Sequence, residues 1–191
     1  DLRVALYKPD HLPSIDIFLP SCGEALEVIE NTFRHVRAVR WNGILRVIVL
    51  DDKGDPRVAQ LADRFGFNYN SRPDRGRMKK AGNLLYGYDK YRADFIAIFD
   101  ADFAPRTDFL TELMPYFADE NGGTNVGIVQ SPQYFDADDS MSWLQRAAGS
   151  GQEYFYRWVQ PGRDRSNGAI CVGTNAIYRR AALERSGGFA Q

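Results

Sequence analysis

Two stretches of the sequence determine the expected fold: FIAIFDAD at residues 95–102 and LRVIVLDD at residues 45–52. Each is a nearly continuous apolar run that ends in two carboxylates. Runs of this kind are typical of strands buried on both faces of a parallel sheet. Because the acidic residues follow the runs directly, they are expected at the strand ends, where α/β sheets bind ligands.

Strand-like and helix-like segments alternate outward from these two runs. The predicted strands lie at residues 15–19, 45–50, 67–69, 95–99 and 126–130. The predicted helices lie at residues 24–39, 56–65, 81–91 and 108–117. This alternation predicts an α/β domain with a largely parallel sheet.

The chain is organised differently from residue 132 onward. Residues 141–159 carry apolar side chains near helical spacing, and a break is expected at Gly149-Ser150-Gly151. A glycine-containing segment at residues 168–174 follows, and a helix is expected to start near Arg179. We therefore predict a single domain over residues 1–191, with one part at 1–131 and a second part beginning at 132.

The composition is that of an ordinary globular protein, with 44% hydrophobic and 26% charged residues. The 24 basic and 25 acidic side chains nearly cancel, which excludes the chain as a whole as an electrostatic nucleic-acid binder. Two distant cysteines form no disulfide framework and fit a reducing compartment. The longest apolar runs are far shorter than the roughly 20 residues of a membrane-spanning helix. No leader pattern follows Asp1, and we expect a domain cut from a longer protein.

Polar residues follow three of the predicted strands, at residues 21–24, at Asp51-Asp52 and at Asp100 and Asp102. An aspartate after a strand can simply cap the next helix, but the recurrence at three strand ends favours a shared site. Asp100 and Asp102 would point the same way in an extended segment. Two adjacent carboxylates are stabilised by a cation, and hard oxygen ligands suit Mg²⁺ or Mn²⁺ bridging a diphosphate.

The loop at residues 72–80 is strongly cationic, with one acid, Asp74, among five bases. The bases are Arg72, Arg75, Arg77, Lys79 and Lys80. The loop is either a solvated surface or a phosphate-binding segment, since it leads into a helix N-terminus. Asn83 is placed on the first turn of that helix, and Gly82 would allow another backbone or a ligand to approach closely.

Four motifs, in their order and spacing, resemble those of the family 2 glycosyltransferases of the GT-A fold. They are PSCGE at 20–24, Asp51-Asp52, KAGNL at 80–84 and Asp100-Ala101-Asp102. Four more extend the resemblance over nearly the whole chain. These are QSPQYF at 130–135, VGTN at 172–175, RRAA at 179–182 and GGF at 187–189. The first of these, with KAGNL, is similar to the processive, membrane-embedded cellulose synthase branch.

The resemblance implies a GT-A (Rossmann-like) fold, in which a mixed, mostly parallel sheet is flanked by helices. It implies nucleotide-sugar binding by Ser21, Glu24, Asp52, Lys80, Asn83 and Asp100. It implies metal binding by Asp100 and Asp102, with Asp102 favoured as the direct ligand. It implies acceptor-side positions for Gln130, Gln133, Gly173 and Thr174. Asp52 would hydrogen-bond the base, and Lys80 would reach base or phosphate.

The implied function is that of an inverting glycosyltransferase, which transfers sugar from a UDP-sugar to a growing polysaccharide with Mg²⁺ or Mn²⁺. The resemblance further implies a cytoplasmic-face location within a multi-pass membrane protein whose remainder is embedded, and no nucleic-acid partner. Residues 1–131 would be the donor half, and residues 132–191 the start of the acceptor half.

The chain departs from the family at Cys22-Gly23, where Tyr-Asn is common, and at Lys53, where glycine is common. These differences predict the loss of an aromatic contact to the base. The family's catalytic aspartate, in a Thr-Glu-Asp motif, and its QxxRW motif are expected beyond Gln191. No catalytic residue is therefore predicted within the chain, and the chain alone is expected to be inactive.

The sequence leaves three other functions open. A sugar-nucleotide nucleotidyltransferase has a related fold but would show a glycine-rich loop after the first strand. A haloacid-dehalogenase-type phosphatase would use the run at 95–102, but it prefers Thr or Val where Ala104 stands. A nucleotide-binding module without catalytic turnover would retain only the residues that bind the nucleotide.

The segment at residues 141–159 contains more large aromatic side chains than one buried helix face needs. They are Trp143, Tyr154, Phe155, Tyr156 and Trp158. They either pack in the core or form a surface that meets a membrane-embedded part of a longer protein, where Trp and Tyr are favoured.

Overall fold

The computed structural model describes residues 2–118, 126–134, 142–166 and 168–189. Six strands form one sheet: β1 Ile15–Ser21, β2 Leu45–Asp51, β3 Asn68–Asn70, β4 Phe95–Ile98, β5 Ile128–Gln130 and β6 Ala176–Arg179. The eight α-helices of these residues are α1 Leu2–Leu6, α2 Leu26–Arg37, α3 Pro56–Phe65, α4 Lys79–Lys90, α5 Phe109–Leu113, α6 Trp143–Tyr154, α7 Gln160–Asp164 and α8 Arg180–Ser186. A 3₁₀ turn at Met114–Phe117 follows α5, and a π-helical turn at Phe155–Val159 joins α6 to α7.

The strand order is β3-β2-β1-β4-β6-β5. Strands β1 to β4 are parallel, whereas β6 is antiparallel to both β4 and β5. The chain winds from β1 to one side through β2 and β3, then crosses to β4 on the other side. The crevice beyond the carboxyl ends of β1 and β4 is therefore the switch point at which α/β sheets bind ligands. The expected mixed, mostly parallel sheet is confirmed.

Alternating side chains of β1 place hydrophobic cores on both faces of the sheet. Ile15 and Ile17 are fully buried in the core that also contains the apolar faces of α2, α3 and α5. Phe18 is fully buried in the opposite core, which receives α4 and α8. A strand covered on both faces needs the continuous apolar run seen in the sequence. This double layer holds the strand ends, and thus the polar residues after them, in fixed positions.

Helix α3 shows how local signals set the connections. Asp55 caps it by accepting a hydrogen bond from the backbone N–H of Arg57 at 2.9 Å, and Pro56 occupies the first turn. Gly66 ends the helix at φ +70°, a left-handed conformation that glycine adopts without strain. These caps explain why the predicted helix bounds agree with the structure here.

Two expectations about elements are wrong, and one strand was not predicted. Helix α6 runs without a break through Gly149-Ser150-Gly151, because helix interiors tolerate glycine at about 1 kcal/mol each. The irregularity lies instead in the π-helical turn that follows it. Helix α4 begins at Lys79, so Asn83 lies beyond its first turn. Strand β6, which was not predicted, occupies the residues just before the expected helix near Arg179.

The described part of the second region belongs to the same sheet as the first, since β6 pairs with β4 over four residues. The predicted division near residue 131 is a functional one and stays a prediction. Phe135 and Met141, which belong to predicted segments, lie outside the described residues, as do the side chains of residues 144–148. Within the described ranges, no helix is both long enough and apolar enough to cross a membrane.

Candidate nucleotide and metal site

A cleft of about 620 Å³ opens at the carboxyl ends of β1 and β4, beside the start of α4. Every residue that the sequence predicts to bind nucleotide sugar or metal lines it: Ser21, Glu24, Asp52, Lys80, Asn83, Asp100 and Asp102. The wall also includes Cys22, Gly76 and Lys79. Residues from three strand ends and one helix start thus converge on one space, as the topology requires.

Two polar oxygens in the cleft wall are buried without a hydrogen-bond partner: Ser21 Oγ and Asn83 Oδ1. The amide nitrogen of Asn83 donates to the Leu50 carbonyl at 2.6 Å, which fixes the orientation of the side chain. A buried polar group without a partner is unfavourable by about 1–3 kcal/mol, so such groups are uncommon unless a ligand or water satisfies them. Their position in the cleft wall points to a ligand that supplies the missing donors.

Asp52 forms a buried ion pair with Arg72. The Arg72 guanidinium donates to both carboxylate oxygens, at 2.5 and 3.0 Å, and each side chain is only 2% exposed. The backbone N–H of Gly76 donates a third hydrogen bond at 3.1 Å. The hydrogen bonds from Arg72, followed by that from Gly76, hold the pKa of the Asp52 carboxyl below its usual range. Asp52 therefore faces the cleft as a carboxylate already bound by protein donors.

This pairing corrects the interpretation of Arg72 as either solvated or phosphate-binding. Its guanidinium lies inside the protein and also donates to the Lys79 carbonyl at 3.1 Å. Gly82 permits this arrangement, because a Cβ there would lie 2.5 Å from the Arg72 guanidinium and 2.4 Å from the Arg77 carbonyl. The close backbone approach expected at Gly82 is thereby confirmed. The exposed cations of the loop include Lys79 and Lys80, both on the cleft wall.

Asp51 serves the structure rather than the cleft. Its carboxylate accepts hydrogen bonds from the backbone N–H groups of Lys53 and Asp55, at 2.9 and 2.7 Å, and from the Tyr69 hydroxyl at 2.9 Å. Burial, followed by this hydrogen bond to Asp51, raises the pKa of Tyr69 to about 12. The two adjacent aspartates therefore have different roles: Asp51 stabilises the turn after β2, and Asp52 lines the cleft.

Asp100 and Asp102 both line the cleft, although they do not lie on one extended strand. Strand β4 ends at Ile98, and Ala101 and Asp102 form a turn. Asp100 accepts a hydrogen bond from Lys80 Nζ, and the pair is partly exposed. The Asp102 carboxylate is exposed and has no polar partner among the described residues. Of the two, Asp102 is the carboxylate that is free to receive a cation.

The donor set fits a divalent metal that shares its coordination with a substrate. Among the residues that the structure describes, no group of three or more His, Cys, Asp or Glu side chains forms a complete metal cage. Mg²⁺ is commonly bound in this way, by one or two carboxylates together with substrate phosphates and water. Asp100 and Asp102 would hold the ion, and Lys79 and Lys80 lie on the same wall to meet the phosphates.

Three of the four predicted acceptor-side residues lie next to the cleft but outside its lining: Gln130, Gly173 and Thr174. The Thr174 hydroxyl accepts a hydrogen bond from the Asp100 backbone N–H at 3.0 Å, and Lys80 Nζ donates to the Gly173 carbonyl at 3.0 Å. Gln130 donates to the Thr174 carbonyl at 2.9 Å. Gln133 is half-buried, and no contact connects it to the cleft in the described part of the chain.

The sequence reasoning did not identify Gly76 and Lys79 as cleft residues, nor Thr174 as a support for Asp100. The cationic loop was a visible signal for Lys79. The roles of Gly76 and Thr174 depend on hydrogen bonds between residues far apart in sequence, which local patterns do not reveal.

Curated relatives of the chain are bacterial cellulose synthases. It is 34% identical to cellulose synthase 1 of Komagataeibacter xylinus over an alignment of 189 positions that covers 95% of this chain and 12% of that protein. It is 32% identical to the cellulose synthase catalytic subunit [UDP-forming] of Xanthomonas axonopodis pv. citri, over 93% of this chain and 24% of that protein. The chain therefore spans a minor part of the length of these relatives.

Solved glycosyltransferase structures share its fold. The mannosyltransferase PcManGT from Pyrobaculum calidifontis, in complex with GDP-Man and Mn²⁺, superposes with a TM-score of 0.62 at 20% identity, covering 99% of this chain and 52% of that one. Glucosyl-3-phosphoglycerate synthase from Mycobacterium tuberculosis, in complex with Mn²⁺, UDP and phosphoglyceric acid, gives 0.55 at 16% identity, covering 93% and 63%. These likenesses confirm the GT-A fold.

The profile of the family described as Glycosyl transferase family 2 matches residues 16–187, a span that includes every residue predicted to bind nucleotide sugar, metal or acceptor. The chain belongs to glycosyl transferase family 2.

Proposed function

We propose that this chain binds a UDP-sugar together with Mg²⁺ or Mn²⁺, as the donor-binding part of an inverting glycosyltransferase that extends a cellulose-like β-glucan. The observation that carries the proposal is the convergence, in one cleft, of the carboxylates Asp100 and Asp102 with Lys80 and the unpartnered oxygens of Ser21 and Asn83. The two carboxylates beside the Lys80 ammonium group suit a metal-bound diphosphate. The uncharged oxygens of Ser21 and Asn83 suit a base and ribose.

Each end of the donor would meet a different part of the wall. The base and ribose would lie against Ser21, Glu24 and Asp52, where fixed hydrogen-bonding groups follow β1 and β2. Glu24 already accepts a hydrogen bond from the Cys22 backbone N–H at 2.7 Å, which orders this turn. The diphosphate would lie toward Lys80, Asp100 and Asp102. The names of the relatives from Xanthomonas and Komagataeibacter, which are UDP-forming, support uridine as the base.

The reaction places new negative charge on the leaving diphosphate. The bond from the sugar C1 to the diphosphate oxygen breaks, and the acceptor hydroxyl oxygen bonds C1 from the opposite face, through an oxocarbenium-like transition state. A bound Mg²⁺ or Mn²⁺ supplies Lewis-acid stabilisation of the phosphate oxygens. Lys80 adds a positive charge on the same wall, which would stabilise the negative charge that develops on the diphosphate.

The acceptor hydroxyl must lose its proton to a general base. We place this base outside the printed sequence, since the Thr-Glu-Asp motif of the family does not occur in residues 1–191. The chain would then bind the donor without turning it over. Gln130, Gln133, Gly173 and Thr174 would form the beginning of the acceptor side, consistent with the contacts from Lys80 and Asp100 to residues 173–174.

The proposed setting is a multi-pass membrane enzyme with this domain at the cytoplasmic face and the polysaccharide as acceptor. The support is the resemblance to the membrane-embedded cellulose synthase branch, together with relatives named as cellulose synthases, of which this chain matches 12% and 24% of the length.

Calorimetry with a panel of nucleotides tests the proposal. The chain should bind UDP more tightly than GDP or ADP, and Mg²⁺ or Mn²⁺ should strengthen the binding of UDP. Comparable binding of all three nucleotides would contradict the assignment of uridine. Binding of UDP that EDTA does not weaken would contradict the role of the metal.

A further inference from the structure

Lys80 connects the carboxylate pair of the cleft to the acceptor-side segment. Its ammonium group donates to Asp100 Oδ1 and, at 3.0 Å, to the Gly173 carbonyl. Asp100 and Gly173 belong to different parts of the chain, since Asp100 follows β4 and Gly173 precedes β6. The single side chain of Lys80 thus holds together a proposed donor-side and a proposed acceptor-side residue.

The ion pair between Lys80 and Asp100 is accessible to a cation that could replace Lys80. The two side chains are 40% and 37% exposed, and ion pairs at this level of exposure contribute little stability. Asp102, the neighbouring carboxylate, has no polar partner among the described residues. Any cation that enters between Asp100 and Asp102 must therefore compete with Lys80 for one of its two ligands.

The space beside Gly173 is open. Gly173 lies at φ +84°, and an added Cβ would meet no atom of the described residues within 4 Å. Its neighbours are held more firmly, since the Thr174 hydroxyl accepts from the Asp100 N–H and the Thr174 carbonyl from Gln130. Loss of the Lys80 contact would therefore act mainly on the carbonyl of Gly173.

We propose that Lys80 occupies the place of the divalent cation until the donor arrives, and that its displacement from Asp100 releases the Gly173 carbonyl. This inference rests on the proposed function. In the donor-free chain, the ammonium group neutralises Asp100 and weakens the binding of bare metal. When the metal and diphosphate enter together, Asp100 turns to the metal and Lys80 to the diphosphate. The acceptor-side segment thereby senses whether the donor is bound.

The first test is the affinity for Mn²⁺ alone, measured by electron paramagnetic resonance. Lys80→Met should bind Mn²⁺ about three- to fivefold more tightly than the parent, the range expected for removal of an exposed competing ion pair. Arg77→Met removes an exposed cation of the same loop that does not line the cleft, and it should change the affinity by less than about twofold. Unchanged or weaker Mn²⁺ binding by Lys80→Met, or an equal gain in Arg77→Met, overturns the proposal.

The second test is the ¹³C chemical shift of the Gly173 carbonyl in labelled protein. UDP with Mg²⁺ should move this resonance in the parent, and ligand-free Lys80→Met should show it already moved in the same direction. A resonance that stays in place in the parent while UDP binds would contradict the release of Gly173.

The two proposals fail in different ways. If the parent binds no UDP in the presence of Mg²⁺, the proposed function is wrong, whereas the comparison of Lys80→Met with Arg77→Met on Mn²⁺ alone still tests the competition at Asp100. If UDP and Mg²⁺ bind but Lys80→Met gains no affinity for Mn²⁺, the function stands and the role of Lys80 is wrong. Urea unfolding of both variants verifies that they are folded.

Discussion

Arg72 and Asp52 form a bidentate ion pair in which each side chain is 2% exposed. Arg72 also donates to the Lys79 carbonyl, and Asp52 accepts from the Gly76 N–H, so the pair fastens the cationic loop to the end of β2. The pair thus positions the start of α4, from which Lys80 and Asn83 project. A buried electrostatic contact, rather than a hydrophobic one, holds this wall of the cleft.

Replacement of Arg72 should therefore destabilise the whole domain. Arg72→Met leaves the Asp52 carboxylate buried without its partner, and we expect the free energy of unfolding to fall by about 3–5 kcal/mol. Urea denaturation measures this loss. Arg34→Met removes an exposed pair with Glu30 on α2 and should change the stability little. Equal losses in the free energy of unfolding would show that burial of the Arg72 pair does not contribute to stability.

The same pair should make the domain sensitive to acid. Arg72 holds the pKa of Asp52 below its unfolded value, which is about 3.9, so the stabilisation is fully present above that value. As the pH falls from about 5 toward 3, the unfolded state takes up more protons than the folded state, and stability falls. Urea unfolding over this range should show a smaller loss in Arg72→Met than in the parent. A steeper loss in the variant would contradict the assignment.

Gly82 should be intolerant of a side chain. Gly82→Ala places a Cβ 2.4 Å from the Arg77 carbonyl and 2.5 Å from the Arg72 guanidinium, which requires backbone movement. We expect a loss of about 1–3 kcal/mol in the free energy of unfolding. Gly151→Ala is the matched control, because Gly151 lies within α6 and its added Cβ meets no atom of the described residues within 4 Å. This control should gain about 0.5–1 kcal/mol. Thermal unfolding of both variants compares them, and a stable Gly82→Ala would refute the close packing.

The strands were predictable because their signal is local. A run buried on both faces is continuously apolar, so 45–50 and 95–99 identified β2 and β4 to within one residue at each end. Strand β6 was missed because it has only four residues, and its pairing partners β4 and β5 are far away in sequence. Such a strand is defined by the sheet it joins rather than by its own composition.

The residues of the site were predictable from their order along the chain, but their partners were not. The loop at 72–80 showed five cations, and the sequence did not distinguish the buried Arg72 from the exposed Lys80. That difference depends on Gly82 and Asp52, which create a space that only one of the five side chains fills. Likewise, the glycines of α6 suggested a break, although the helix around them continues.

The exposed aromatic residues of α6 and of the turn after it should make the chain self-associate. Trp143, Tyr154 and Trp158 are 74%, 63% and 70% exposed, so these side chains do not pack in the core. Exposed apolar patches promote association. Sedimentation velocity should show oligomers that decrease in Trp143→Ser/Trp158→Ser.

Fluorescence quenching provides the control for this prediction. At concentrations where the chain is monomeric, acrylamide should quench Trp143 and Trp158 readily, whereas Trp41, whose indole donates to the Pro13 carbonyl at 3.0 Å, should be protected. A parent that is monomeric at all concentrations, with every tryptophan protected, would place the aromatic residues in the core after all.

The central claim is that Asp102 holds a divalent cation for a nucleotide diphosphate, and calorimetric titration of UDP in the presence of Mg²⁺ tests it most directly. The parent should bind UDP more tightly with Mg²⁺ than without it, and Asp102→Asn should lose this gain because it removes a cleft carboxylate that has no polar partner among the described residues. Asp89→Asn, which removes an exposed carboxylate on α4 outside the cleft, should keep the gain. If Asp102→Asn binds UDP with Mg²⁺ as tightly as the parent, the claim is wrong.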